Sequence, residues 1–111
     1  MLFRSSYDPG AKKATFIAYL SVPEKGVIVK AGLVAASGAN FDPENNVLTA
    51  DNADYVKSSA LAVGKSAPVT YTWNKSKVNA GDVWYARAYL VYTLNGTERT
   101  VYGELVSLTA A

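Results

Sequence analysis

Tyr85, Arg87 and Tyr89 occupy alternate positions in the run WYARAYLVYTL. On an extended strand all three side chains therefore leave one face, about 7 Å apart. A guanidinium between two phenols can do two kinds of work. It can present a flat recognition surface, because Tyr and Arg are favoured where binding energy concentrates. It can also lie across the rings and steady the sheet by about 0.5 to 1 kcal/mol per contact. The local use is the expectation, and the three residues form the candidate interaction surface. Tyr71 and Trp73, also two apart, are the candidate platform for stacking a sugar, as is the Tyr85/Tyr89 pair. That use needs rings that are coplanar, exposed and flanked by hydrogen-bonding groups.

A second constellation is rich in oxygen ligands: Asp42, Glu44, Asn45, Asn46, Asp51, Asn52 and Asp54. Calcium binds such groups, but the spacing does not match the twelve-residue loop of the best-defined calcium motif, and the expectation is no metal. The chain contains no Cys and no His. This removes thiol nucleophiles, imidazole bases, Cys/His zinc sites and the Ser-His-Asp arrangement together. Carboxylate pairs for glycoside chemistry are not brought together by the sequence either. A protein with no catalytic residue and no cofactor is expected.

These groups need a scaffold. At 111 residues the chain has the length of one domain, spanning residues 1–111, and can bury about two-thirds of its unfolded surface without metal or disulfide. Hydrophobic residues make up 50% and charged residues 18%, placing it among ordered globular proteins. The formal charge is +2, and the lysines are dispersed rather than gathered into the stripe a phosphate backbone requires, which argues against a nucleic-acid partner. Neither a membrane span of about 18 apolar residues nor the apolar stretch of a signal peptide is visible.

Period-two alternation, broken at short intervals by turn residues, predicts many short strands. Residues 14–22, ATFIAYLSV, place Phe16, Ala18, Leu20 and Val22 on one face. Residues 23–26 are a turn in which Gly26 accepts positive φ. Residues 27–36 form the next strand, with Lys30 outward and Val29, Ala31 and Leu33 inward. Residues 37–46, SGANFDPENN, read as an exposed loop. Residues 47–66 hold one or two edge strands or a helical turn near Asp51. PVTYTW alternates again, residues 74–82 are polar, and residues 83–94 and 99–108 are the longest strands. In residues 83–94, Trp84, Ala86, Ala88, Leu90 and Tyr92 face inward. A first edge strand lies within residues 2–13. About seven short strands predict an all-β, two-sheet antiparallel sandwich.

Residues 81–109, GDVWYARAYLVYTLNGTERTVYGELVSLT, resemble the final hairpin of fibronectin type III-like and related immunoglobulin-like repeats of bacterial surface proteins and phage structural proteins. The resemblance rests on Gly81, Trp84, Tyr85, Arg87, Ala88, Tyr89, Tyr102 and Gly103. VKAGLVAAS, residues 29–37, is similar to the third strand of such repeats. The family usually carries a Tyr at the hairpin start, its hydroxyl tying down the preceding corner; here that residue is Trp84. Asn95-Gly96-Thr97 and Asn74-Lys75-Ser76 match a glycosylation pattern and are read instead as turns.

The resemblance implies a non-enzymatic spacer, decoration or adhesion module, located in a virion or on a bacterial cell surface. Its partners would be neighbouring domains or subunits of that assembly, without membrane insertion. The alternative is a carbohydrate-binding module meeting a cell-surface glycan through Tyr and Trp.

Overall fold

The computed structural model describes residues 2–110 of the chain. Eight strands run in the order β1 (Leu2–Asp8), β2 (Lys13–Leu20), β3 (Val27–Ser37), β4 (Tyr55–Ser58), β5 (Val69–Lys75), β6 (Val83–Leu94), β7 (Thr97–Tyr102) and β8 (Val106–Thr109). A 3₁₀ turn at Ala60–Ala62 separates β4 from β5. Strands β1-β2-β5 form one antiparallel sheet and β4-β3-β6-β7 the other, with β8 also paired to β6. The two antiparallel sheets pack face to face as an all-β sandwich.

Strand β2 shows how the alternation becomes a core. Ala14, Phe16, Ala18 and Leu20 are fully buried between the sheets, while the residues between them are half-buried on the outer side. From β6, Trp84, Ala86, Ala88, Leu90 and Tyr92 meet them as expected. Two alanines on β6 leave room for the larger side chains opposite, which is how two sheets about 10 Å apart interdigitate.

Strand β3 departs from the expected facing. Its register with β6 shifts between Ile28 and Lys30, a β-bulge. The extra residue resets the alternation. Ile28 therefore enters the intersheet core and Val29 packs on the outer side of the sheet. Gly32 has a specific reason to lack a side chain: a Cβ there would collide with the Lys57 carbonyl oxygen and stand 2.6 Å from Ser58 Cα.

The turns also differ in detail from expectation. Asn95 (φ 53°) and Gly96 (φ 79°) make the tight hairpin between β6 and β7, with Leu94 paired to Thr97. Asn74 and Lys75, by contrast, lie within β5. In the turn at residues 23–26, Gly26 N–H donates to the Pro23 carbonyl at 2.8 Å, but the positive φ (68°) falls on Lys25. Gly26 is buried there, where a Cβ would come within 2.7 Å of Val22.

The final strand is interrupted. β7 and β8 both run along β6, Tyr102 opposite Tyr89 and Val106 opposite Ala86, so one extra residue is accommodated between them. Gly103 N–H still reaches the Ala88 carbonyl, at 3.0 Å. Tyr7 on β1 donates its hydroxyl to the Val78 carbonyl at 2.7 Å, and Val78 itself is buried against Trp84 and Phe16.

Candidate functional site

Tyr85, Arg87 and Tyr89 do share the outward face of β6, but that face is not open. Residues 38–54 fold back across it, although the sequence of residues 37–46 reads as an exposed loop. Phe41 (6% exposed) and Leu48 (1%) descend onto Val34, Ala36, Tyr89 and Val91 and make a third apolar cluster outside the sandwich core. Phe41 is the one aromatic residue in a Gly/Asn/Asp/Pro segment, and Leu48 closes the same stretch. Those two residues are one signal of a second burial surface.

Each member of the triad meets this cover. The Tyr85 ring packs on Phe41, 5.5 Å between centroids and tilted by 60°. Tyr89 stacks instead on Tyr102 of β7, at 5.3 Å. The Tyr102 hydroxyl in turn accepts a hydrogen bond from Ala50 N–H at 3.0 Å. Arg87 does not lie between its two tyrosine neighbours: its guanidinium rests over Tyr102, 4.9 Å from the ring centroid. Its Nε donates to the Gly103 carbonyl at 2.8 Å and its Nη1 to the Leu48 carbonyl at 3.2 Å. One side chain thus satisfies a carbonyl at the interruption between β7 and β8 and another on the covering loop. Backbone carbonyls in such places need a partner, and a guanidinium supplies several donors in a fixed fork.

Burial pushes the Tyr89 phenol above its ordinary value, reinforced by Tyr102, Glu98 and Asp51 nearby. Its neutral form is therefore favoured in this packed setting.

The oxygen-rich residues hold the loop's own backbone. Asp54 accepts from Ser37 N–H at 2.9 Å and from the Asn40 amide at 3.2 Å. Asp42 accepts from Glu44 N–H and from the Asn45 amide. Asn52 accepts from Thr49 N–H and donates to the Val47 carbonyl, both at 2.8 Å. Asn46 N–H closes a turn on the Asp42 carbonyl. Among the described residues no three acidic side chains converge as a cation site would require.

Tyr71 and Trp73 project from β5 toward the core side. Tyr71 packs against both halves of the intersheet core, and burial raises its phenol pKa. Trp73 stacks on Phe16 at 5.6 Å and meets Tyr55 at 5.0 Å. Lys57 Nζ stands 5.8 Å from the Trp73 centroid. Neither residue lies in an open coplanar pair.

Two shallow surface hollows, about 320 and 360 Å³, lie beside the 3₁₀ turn and between residues 37–39 and 81–85. Lys65 is the one ionisable side chain lining the first apart from hydroxyls, and Asp82 and Tyr85 line the second. Neither sets a nucleophile against a matched base. Asp82 is occupied as a cap, accepting from Asn79 N–H at 2.9 Å. No family model, curated protein or solved structure matches the chain in comparisons with known proteins.

Proposed function

We propose that the chain is a non-enzymatic structural module, a spacer, decoration or adhesion unit of a virion or bacterial surface protein. The observation that carries this reading is where the chain enters and leaves the sandwich. β1 begins opposite Tyr19, at the pole that holds Leu20 and Tyr92. β8 ends opposite Val83, at the other pole, beside Trp84, Val78 and Ala110. A module threaded from pole to pole can be joined in line with others, so that tension or reach is transmitted along the strands. The likeness of residues 81–109 to repeats of surface and virion proteins supports the same reading, as analogy. So does the commitment of Arg87 to internal carbonyls, since its half-buried side chain is held against Tyr102, Gly103 and Leu48 and not displayed outward.

Two copies fused head to tail through their own ends test the in-line geometry by small-angle scattering. The expected particle is elongated to nearly twice the 45 Å long dimension of one copy; two copies folded side by side contradict it. Antibody raised against the purified chain should label intact virions or unpermeabilised cells. Labelling only after cells are opened contradicts the surface assignment.

A further inference from the structure

Each sheet has two edges, and three of the four carry a device against strand addition. β4 is only four residues long, and its Lys57 Nζ stands over Tyr55 and Trp73. On β5 the Lys75 Nζ is turned over the rings of Tyr55 and Trp84, at 5.9 and 5.8 Å from their centroids. The β7–β8 edge is interrupted at residues 103–105. Short length, an inward charge and a broken strand each keep a sheet edge from pairing.

β1 has none of these. Its seven residues pair with β2 without a shift, from Leu2 opposite Tyr19 to Asp8 opposite Lys13, and include no Pro or Lys. Among the described residues no strand pairs with its other side, toward which alternate backbone N–H and C=O groups point. Phe3 and Tyr7 pack inward against the core, whereas Arg4, Ser6 and Asp8 are exposed on the outer face. Asp8 Oδ1 accepts from Gly10 N–H at 3.0 Å and Ala11 N–H at 3.3 Å, and Oδ2 takes no partner among the described residues.

The two charges have opposite sign, and Ser6 lies midway between them. An antiparallel copy of β1 with Ser6 opposite Ser6 therefore sets each Arg4 against the Asp8 of the other strand. Moving the axis to Ser5 or Tyr7 separates both pairs, and centring it on Arg4 or Asp8 opposes like charges. The same flank leaves apolar surface uncovered: β8 lies across the sandwich from β1, and Val101 and Leu105 on the β7–β8 edge are 37% and 36% exposed.

We propose that β1 pairs antiparallel with β1 of a second copy about a two-fold axis at Ser6, joining two three-stranded sheets into one of six strands. Main-chain hydrogen bonds hold the pair and the two Arg4–Asp8 contacts fix its register. One short edge makes a small isologous interface, so the dimer forms with a Kd on the order of 100 μM. This contact does not rest on the in-line reading. A head-to-tail pair carrying Ser6→Lys reads the in-line geometry with the lateral contact removed, so failure of one leaves the other standing.

Sedimentation of the full chain from about 10 μM to 1 mM tests the contact. The expected result is a monomer that becomes a dimer with concentration, less so at high salt. Ser6→Lys, which opposes two lysines at the axis, should stay monomeric, and Arg4→Glu should weaken the dimer at least about tenfold. Both residues are exposed, so both variants should melt with the wild type. The chain has no Cys, so Ser6→Cys gives a single thiol whose partner lies directly opposite, about 5 Å away between Cβ atoms. On oxidation it should link into dimers much faster than Thr72→Cys on the exposed face of β5. If a charge variant fails to fold, wild-type dilution and the Ser6→Cys linkage still decide. A monomer at 1 mM, a dimer of unaltered strength in folded Ser6→Lys or Arg4→Glu, or equal linkage rates for the two thiols overturns the proposal.

Discussion

The outer faces of the two sheets contrast. On the β1-β2-β5 sheet the outward residues of β5, Thr70, Thr72 and Asn74, are exposed, and Asn74 accepts a hydrogen bond from the Thr15 hydroxyl at 2.8 Å. On the other sheet the outward residues Val34, Ala36, Tyr89 and Val91 are as buried as a core, under residues 38–54. Strand sequence carries this difference. ATFIAYL alternates cleanly, as a strand with one covered face should, whereas LVAA and AYLVY are continuous apolar runs, the mark of a strand covered on both faces. Recognition strength therefore cannot be read from residue type alone: Tyr-x-Arg-x-Tyr, which suggests a surface, is here the floor of a second small core.

Removing the cover's anchor should have the largest effect. Phe41→Ala is expected to cost about 2 to 4 kcal/mol, approaching the 3 to 5 typical of a buried Phe such as Phe16. Thr72→Ala on the open face should stay within about 0.5 kcal/mol. Denaturant titration of Phe16→Ala, Phe41→Ala and Thr72→Ala checks the order, and equal costs for Phe41→Ala and Thr72→Ala would erase the contrast between the faces.

Arg87→Ala should cost about 1.5 to 3 kcal/mol, because two carbonyls lose charge-assisted bonds and the Tyr102 face is uncovered. Sequence alone gives a smaller figure, from ring stacking only, so a loss under about 0.5 kcal/mol would return Arg87 to the role of surface ornament. Val91→Ala sharpens the comparison within one strand. Alternation makes it cheap beside Leu90→Ala, at about 2 to 5 kcal/mol, but its burial under the loop raises the expected cost to about 1 to 2.5 kcal/mol. Thermal melts at matched conditions distinguish the two.

The smallest effect is alkaline. The Tyr89 phenol has a folded pKa above its ordinary value near 10. Its protonated form therefore contributes stability that is complete below about pH 10 and is lost as pH rises through the folded pKa. Tyr71 is raised in the same direction by burial. Melting followed from about pH 8 to 11 should show a smaller decline for Tyr89→Phe than for the wild type; parallel declines would mean that Tyr89 is not held neutral by the cover.

What was legible follows the range of the interactions. The two-sheet arrangement, the inward set of β6 and the Asn95-Gly96 turn are written locally, as period two and as turn chemistry. The facing of Val29 was not, because the bulge arises from pairing β3 with β6. Nor was the path of residues 38–54: its turns are local, but Phe41 is buried only because β3 and β6 present Val34 and Tyr85 to it. The partners of Arg87 lie 16 and 39 residues away in sequence, so no pattern within the strand could name them. Val78 was hidden likewise, one apolar residue in a polar segment that becomes a plug once Tyr7 ties its carbonyl.

Native-state hydrogen exchange tests most directly whether residues 38–54 are a packed cover held by Arg87. The amides of Phe41, Ala50 and Ala53 donate to Ser37, to the Tyr102 hydroxyl and to Thr49, and should be protected in the wild type. In Arg87→Ala the Ala50 protection should fall sharply while amides of β2 keep theirs. Exchange of the loop amides at unprotected rates in the wild type, with β2 fully protected, would contradict the account and reopen the Tyr85-Arg87-Tyr89 face as a binding surface.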